Sequence, residues 1–368
     1  MNRGAGASGV GPVGDSARSL DLLVPGLLGP VPIPPEDIPA VPVLERLLSR
    51  GTPFPGGMVG LTESLFAAFG LDLGEGGGEA PRRAAPSSTP SAPLCYLADA
   101  PHGDQSGYRL HADPVHLRLD RDRLLLYDTR HLDLTQGEAD TLVALFNAHF
   151  AVEGLTLEAP VPGRWYLRLA EAPRVRTWPL DAVVGRSVAP FLPTGEDQRR
   201  WIRLLNESQM LFAQAEPNRR REAEGRLPVS GVWPWGGGEL SNVEPRSRYS
   251  SVFADHPLSV GLARRAGVAL HPLAGVECGL AAAVAEGQVL VVWDRLWSAV
   301  LDADSVVWSE ELVRLDDWLA QVQRLLASRR LHHWILDGCH GHRRRIARLD
   351  AWRLWRRVRP LAGMRSLA

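Results

Sequence analysis

Two short apolar runs lie almost the whole chain apart, and the pattern between them is different in kind. Leu20 to Val24 ends in Pro-Gly, which suits a buried strand meeting a loop; Val289 to Trp293 is continuously apolar, as in a parallel strand covered on both faces. Each run belongs to a strand–helix alternation. Pro39 to Arg50 carries Val43, Leu44, Leu47 and Leu48 on one helical face. Leu312, Leu315, Leu319, Val322 and Leu326 form the stripe of a later helix, and Leu331 to Leu336 is a further strand. Alternation at both ends predicts an α/β fold with a doubly wound core sheet.

The middle reads as a separate α+β unit. HADPVHLRLDRDRLLLYD alternates polar and apolar residues around an Asp-Arg-Asp turn, the pattern of a hairpin. Thr135 and Glu138 have the spacing of a capping box ahead of a helix over Ala139 to Phe150. Arg164 to Leu169 and Arg174 to Trp178 predict short strands. Trp201, Leu204, Leu205, Ser208, Leu211 and Phe212 share one helical face, with Pro217 as the stop. The expected organisation is a leader over 1–18, a core built from 19–104 and 245–368, and an inserted unit over 105–244. Residues 74–93, rich in Gly, Pro and Ser, are expected to form a flexible loop, and the arginine- and tryptophan-rich C-terminus a helix.

Charge narrows the partners. The 41 basic residues are all arginine and face 42 acidic ones, a net charge of −1 that argues against a general nucleic-acid or acidic-membrane partner. Without lysine, Schiff-base chemistry and a P-loop lysine are excluded. Cys95, Cys278 and Cys339 show no paired spacing, so neither a disulfide framework nor a structural zinc site is expected. With no signal peptide and no run near the ~20 apolar residues of a membrane span, the expected location is the cytoplasm.

One stretch carries a specific chemical pattern. AEPNRRREAEGRLPVSGVWPWGGG, residues 215–238, puts an amide, a run of three arginines and a triple glycine in one short helix–strand–loop unit. A carboxylate or phosphate could use the forked donors of arginine, the amide of Asn218 and backbone N–H groups freed by glycine. An exposed helix end followed by a turn would look the same.

The spacing of Asn218, Arg221, Gly225, Pro228, Gly236 and Gly238 resembles a block of the archaeal-type cofactor-independent phosphoglycerate mutases. Ser230 stands where that family usually has asparagine, and Trp235 where it has arginine. LLVPGLLGPVPI, DPVHLRLD, QVLVVWDRLWSAVLDADS and EELVRLDDWL are similar to its other blocks, and the chain also resembles bacterial RpfE-type regulatory proteins. The resemblance implies an alkaline-phosphatase-like core with a substrate-binding insert. It assigns ligand binding to Arg118, Asn218, Arg221, Gly236, Gly237 and Gly238, and the ligand to the small phosphorylated or carboxylated metabolites.

The same resemblance implies two divalent metals and a phosphorylated serine, and here the chain departs from it. The expected metal-binding aspartates fall at Pro25-Gly26 and Gly29, which offer no side-chain ligand. The nucleophile position falls near Leu61 or Thr62, with Ser64 inside the following helix. Asp294, Asp302, Asp304, Asp337, Cys339, His340 and His342 are candidate ligands, of which His340 matches best; Asp255-His256 reads as a helix N-cap. The expectation is a non-catalytic regulatory or metabolite-binding protein with no catalytic residue, metal ligand or cofactor. The alternative is a metal-dependent mutase or phosphatase with a site reorganised around Thr62, Asp302, Asp304 and His340. Arg343 to Arg359, opposed only by Asp350, would suit nucleic acid if its tryptophans were free to stack.

Overall fold

The computed structural model describes residues 18–29, 32–71, 89–353 and 355–364. The leader expected over 1–18 lies outside these apart from Arg18, as does the expected loop over 74–93 apart from 89–93. In chain order, β1 (Ser19–Leu23), α1 (Pro42–Arg50), β2 (Thr52–Phe54), α2 (Leu61–Ala68) and α3 (Ser91–Asp99) come first. Next are β3 (Tyr108–Asp120), β4 (Arg123–Tyr127), α4 (Gln136–Phe150), β5 (Thr156–Val161), β6 (Arg164–Leu169) and β7 (Val175–Arg176). Then follow α5 (Leu180–Val183), β8 (Thr194–Gly195), α6 (Gln198–Ala213), α7 (Glu216–Ala223) and β9 (Gly231–Glu239). The chain finishes with β10 (Ser251–Phe253), α8 (Pro257–Arg265), β11 (Ala269–His271), α9 (Val276–Glu286), β12 (Val289–Val292), α10 (Arg295–Leu301), α11 (Ser305–Ala327), β13 (His333–Asp337), β14 (Arg343–Ala347) and α12 (Leu361–Met364).

The main sheet has the order β11-β10-β12-β1-β13-β14-β2, parallel from β11 to β13 and antiparallel where β14 joins β13 and β2. Its first and last thirds of sequence meet at β1, which lies between β12 and β13. Period-two alternation sends Leu20, Leu22, Val289, Val291, Trp334 and Leu336 under α1, α9 and α11. Leu23, Leu290 and Val292 face α2, α3 and α8 on the other side. The sheet is therefore covered by helices on both faces, as the continuous apolar runs require. Asp304 caps α11 by accepting from the Val306 and Val307 amides, and the fully buried Trp308 and Trp318 seat that helix. Burial of such a side chain contributes on the order of 2–3 kcal/mol.

The middle of the chain builds a second sheet, β4-β3-β6-β5, with β9 added to β3. The β3–β4 hairpin turns at Arg121, whose φ is +54°. Thr135 and Glu138 form the expected capping box on α4, a device worth about 1 kcal/mol. Phe146, Phe150, Trp165 and Phe212 fill the core between this sheet and its helices.

Three local expectations change. The end of the Gly/Pro/Ser-rich stretch is helical, since Ser91 opens α3. Pro217 does not stop α6, which has already ended at Ala213; it sits in the first turn of α7, where a missing N–H costs nothing. Among the described residues the arginine- and tryptophan-rich run is not an α-helix; it is a strand followed by a short 3-10 turn over Arg348–Trp352. Arg343–Ala347 pairs along β13, and Arg353 and Arg356 then donate to the carbonyl of Arg50 at 3.2 and 3.3 Å, past the end of α1. Those arginines satisfy orphan carbonyls at a helix C-terminus, which outweighs their own helix propensity.

Candidate functional site

In an open α/β sheet ligands collect at the carboxyl ends of the strands, so the acidic residues there decide what can bind. Asp21, one of the few charges inside the sheet, is 2% exposed two residues before the end of β1. Its Oδ2 accepts from Tyr249 Oη at 2.8 Å and from Arg248 Nη2, with Arg343 Nη2 at 4.0 Å. Asp337 ends β13. Its Oδ1 accepts from the Cys339 amide at 2.8 Å, and its Oδ2 lies 3.4 Å from Arg343 Nε. Burial pushes the Asp337 carboxyl up to about 6, with Arg343 pulling the other way.

The neighbouring strands repeat the arrangement. Asp255 follows β10 and Asp294 follows β12, and Arg295 comes next in the chain. Arg295 Nη2 is 3.9 Å from Asp255 Oδ2 and its Nη1 is 3.9 Å from Glu311 Oε2 on α11. Asp255 Oδ1 also accepts from the Leu273 amide at 3.1 Å, and neither it nor His256 caps α8, although His256 occupies the N-cap position. Burial, reinforced by Asp255, pushes the Asp294 carboxyl up to about 6. Protein guanidiniums thus lie within 4.0 Å of Asp21, Asp255 and Asp337 at this edge. Among the described residues no three acidic, histidine or cysteine side chains gather where they could hold a metal ion.

The metal ligands implied by the resemblance do not fit. Pro25 and Gly26 are buried, Gly26 with φ +80° and its carbonyl accepting from Trp308 Nε1 at 3.1 Å; a side chain there would meet the α10 backbone at 3.2 Å. Asp302 ends α10 and pairs with Arg130 at 3.3 Å, while Asp304 is committed to its cap. Neither is joined to His340. Burial raises the Cys339 thiol, against the hydroxyl of Ser64, so it is not a ready thiolate.

The segment before α2, the helix that carries Thr62, is tied through the backbone to the loop at His340. Gly60 N donates to Cys339 O at 2.9 Å and Gly341 N to Met58 O at 2.9 Å, which ties the start of α2 to the end of β13. Gly57 is needed for this contact because an added Cβ would lie 2.5 Å from Gly341 O. His340 folds back over Gly338 and lies 5.6 Å from the His342 ring; burial lowers its pKa.

The insert residues expected to bind a ligand have internal partners. Asn218 is buried, donating to Phe212 O and Val229 O at 2.8 Å each and accepting from Val229 N at 2.9 Å. Arg221 has no exposed surface. It donates to Leu227 O at 2.8 Å, to Glu138 Oε2 at 3.0 Å and to Leu132 O. An anion would have to displace those bonds. Gly236, Gly237 and Gly238 belong to strand β9, not to a loop. A Cβ on them would strike Ser91 Oγ at 2.2 Å, Tyr108 Oη at 2.4 Å and Pro90 Cβ at 2.3 Å, respectively. Trp235, in the arginine position of the resemblance, stacks on His111 at 4.0 Å and donates to Asp113 Oδ2 at 2.8 Å. Ser230 accepts from the Leu117 amide at 2.9 Å. Arg118 alone of this set is exposed, its guanidinium 5.4 Å above the Tyr127 ring.

Comparison with known proteins agrees with the resemblance. The 2,3-bisphosphoglycerate-independent phosphoglycerate mutase 2 of Methanothermobacter thermautotrophicus is 29% identical over 159 residues, 40% of this chain and 39% of that protein. Over these stretches the chain is similar to cofactor-independent phosphoglycerate mutases. A probable enzyme of that name from Geobacter sulfurreducens is 39% identical over 57 residues, 16% of this chain and 14% of its own length. The chain thus matches well under half the length of either curated relative. No protein-family model matches it. Among solved structures, a cofactor-independent phosphoglycerate mutase from Thermoplasma acidophilum gives a TM-score of 0.41 at 14% identity, covering 89% of this chain and 88% of that one. The PH0037 protein from Pyrococcus horikoshii gives 0.49 at 14% identity, covering 89% and 87%. No helix among the described residues is long and apolar enough to cross a membrane.

Arg248, Arg295 and Glu311 were not legible as site residues. The available signals were the adjacency of Asp294 and Arg295 at the end of an apolar strand and the place of Arg295 and Glu311 within QVLVVWDRLWSAVLDADS and EELVRLDDWL.

Proposed function

We propose that this chain is a non-catalytic, cytoplasmic relative of the cofactor-independent phosphoglycerate mutases, with a regulatory or metabolite-binding role like that of the RpfE-type proteins. The observation that carries this reading is the set of guanidinium–carboxylate contacts at the carboxyl edge. Arg248 and Arg343 hold Asp21, Arg343 holds Asp337, and Arg295 sits between Asp255 and Glu311. A divalent cation needs several carboxylate or imidazole ligands converging at about 2.0–2.6 Å. Here Asp21, Asp255, Asp337 and Glu311 each lie within 4.0 Å of a guanidinium, so a metal bound by them would have to displace arginine as well as its own water.

The enzyme alternative requires Thr62, Asp302, Asp304 and His340 to act together. Asp302 and Asp304 are engaged by Arg130 and by α11, which disfavours it. The test is a mutase and phosphatase assay on purified protein with 3-phosphoglycerate and added Mn²⁺. The expected result is no turnover above background. Turnover abolished by Thr62→Ala would overturn the reading.

A further inference from the structure

Beyond β13, where β14 and β2 close the sheet, a cavity of about 630 Å³ opens against α1 and the C-terminal segment. Leu28, Leu48, Phe54, Leu336 and Met364 give it an apolar floor. Five arginines stand around it: Arg343, Arg344, Arg356, Arg357 and Arg359. Among the described residues no aspartate or glutamate lines it. In a chain whose 41 basic and 42 acidic residues nearly cancel, that local excess is a departure from the average surface.

The charges are not equivalent. Arg343 is met by Asp337 at 3.4 Å and Asp21 at 4.0 Å. Arg356 donates to Arg50 O and Gly51 O at 3.3 and 3.0 Å, bonds that fix its position without cancelling its charge. Among the described residues the guanidiniums of Arg344, Arg357 and Arg359 make no ion pair. Burial and the neighbouring Arg356 both work against the charged form of Arg344. Guanidiniums held at mutually repulsive positions around a concavity gain most from a bound polyanion, to which arginine offers paired donors.

We infer that this cavity binds a small polyphosphorylated metabolite of nucleotide size, with its phosphates on the arginines and an aromatic or apolar portion on the Leu48–Phe54 floor. The volume falls within the ~300–1,000 Å³ range of small-molecule sites. A concave apolar floor suits a discrete ligand better than a continuous polynucleotide, whose backbone is tracked by an open groove. The inference names the ligand class for the metabolite-binding role proposed above and rests on that reading.

Calorimetric titration of the full-length protein with ATP, inorganic pyrophosphate, 3-phosphoglycerate and a single-stranded 12-mer oligonucleotide tests it. The variants are the double charge reversal Arg357→Glu/Arg359→Glu and, on the insert, Arg118→Glu. Thermal melts confirm that both remain folded. ATP is expected to bind one to one, about tenfold or more tighter than pyrophosphate, which cannot use the floor. The double reversal should weaken ATP at least about tenfold, and Arg118→Glu should leave it unchanged. Absence of ATP and pyrophosphate binding, or ATP affinity indifferent to the double reversal, overturns the inference. So does oligonucleotide binding tighter than ATP and steeply salt-dependent, which would make the arginines a nucleic-acid surface. So does 3-phosphoglycerate binding lost only in Arg118→Glu, an outcome that keeps the metabolite-binding reading and moves its site. Mutase turnover, by contrast, would sink the non-catalytic reading without touching ATP affinity at the cavity.

Discussion

Arg221 shows how a residue can match a binding motif and serve another end. Its guanidinium shares Glu138 with Arg226 and carries two backbone carbonyls, all inside the insert. Removing it unmakes these bonds but leaves Glu138 paired with Arg226 at 3.2 Å, so the cost falls below that of a buried charge left wholly unpaired, at about 2–3 kcal/mol. Arg221→Met should therefore lower the urea midpoint by that equivalent. Near-native stability with a selective loss of ligand affinity would restore the binding role. His111 offers a second test. Both its ring nitrogens are buried without a partner, and its ring lies against Trp235 and Tyr166. Burial, with smaller effects from Arg164 and His256, holds its pKa down to about 3, against an ordinary 6.5. The unfolded state thus binds the proton first on acidification, so the His111 contribution is present above about pH 6.5 and lost as pH falls toward 3. Burial pushes Asp113 up to about 7, the opposite case, whose contribution falls as pH rises from about 4 to 7. His111→Phe should match wild-type stability at pH 7 and lose less of it between pH 6.5 and 4. An unchanged acid limb in thermal melts would show that His111 is not responsible.

At the scale of elements, β9 explains the glycines. Gly236 sits at φ +62° where β9 bulges against β3, close under α3. Gly236→Ala combines a strained backbone with a collision at Ser91, and a loss of about 1–3 kcal/mol in chemical denaturation is expected. A neutral effect would mean that α3 shifts freely. The register of residues 218–238 was legible in the sequence, but its meaning was not, because glycine spacing cannot tell a ligand's approach from that of Ser91, Tyr108 and Pro90. The C-terminal run failed for a related reason. Arginines and tryptophans suit a helix locally, yet the exposed edge of β13 and the carbonyls after α1 are long-range demands that outweigh local propensity. Elements with strong local signals, such as the Thr135 capping box, the β3–β4 hairpin and the α11 stripe, were readable because their causes lie within a few residues.

For the whole molecule, the two apolar runs were enough to imply a doubly wound sheet, since only a sheet covered on both faces accepts them. They could not say which charges meet at its carboxyl edge. Asp21, Asp255, Asp337 and Glu311 come from distant segments, and Arg248, Arg295 and Arg343 reach them only after folding. The central claim is that these guanidiniums stand where a metal enzyme would have cations. Titration of Mn²⁺ into the protein at pH 7.5, followed by calorimetry and by the manganese spin-resonance signal, tests it most directly. The account predicts no stoichiometric site, the signal remaining that of the free ion at equimolar protein. One or two ions bound per chain with micromolar affinity, and released when Asp294 or His340 is replaced by alanine, would contradict it.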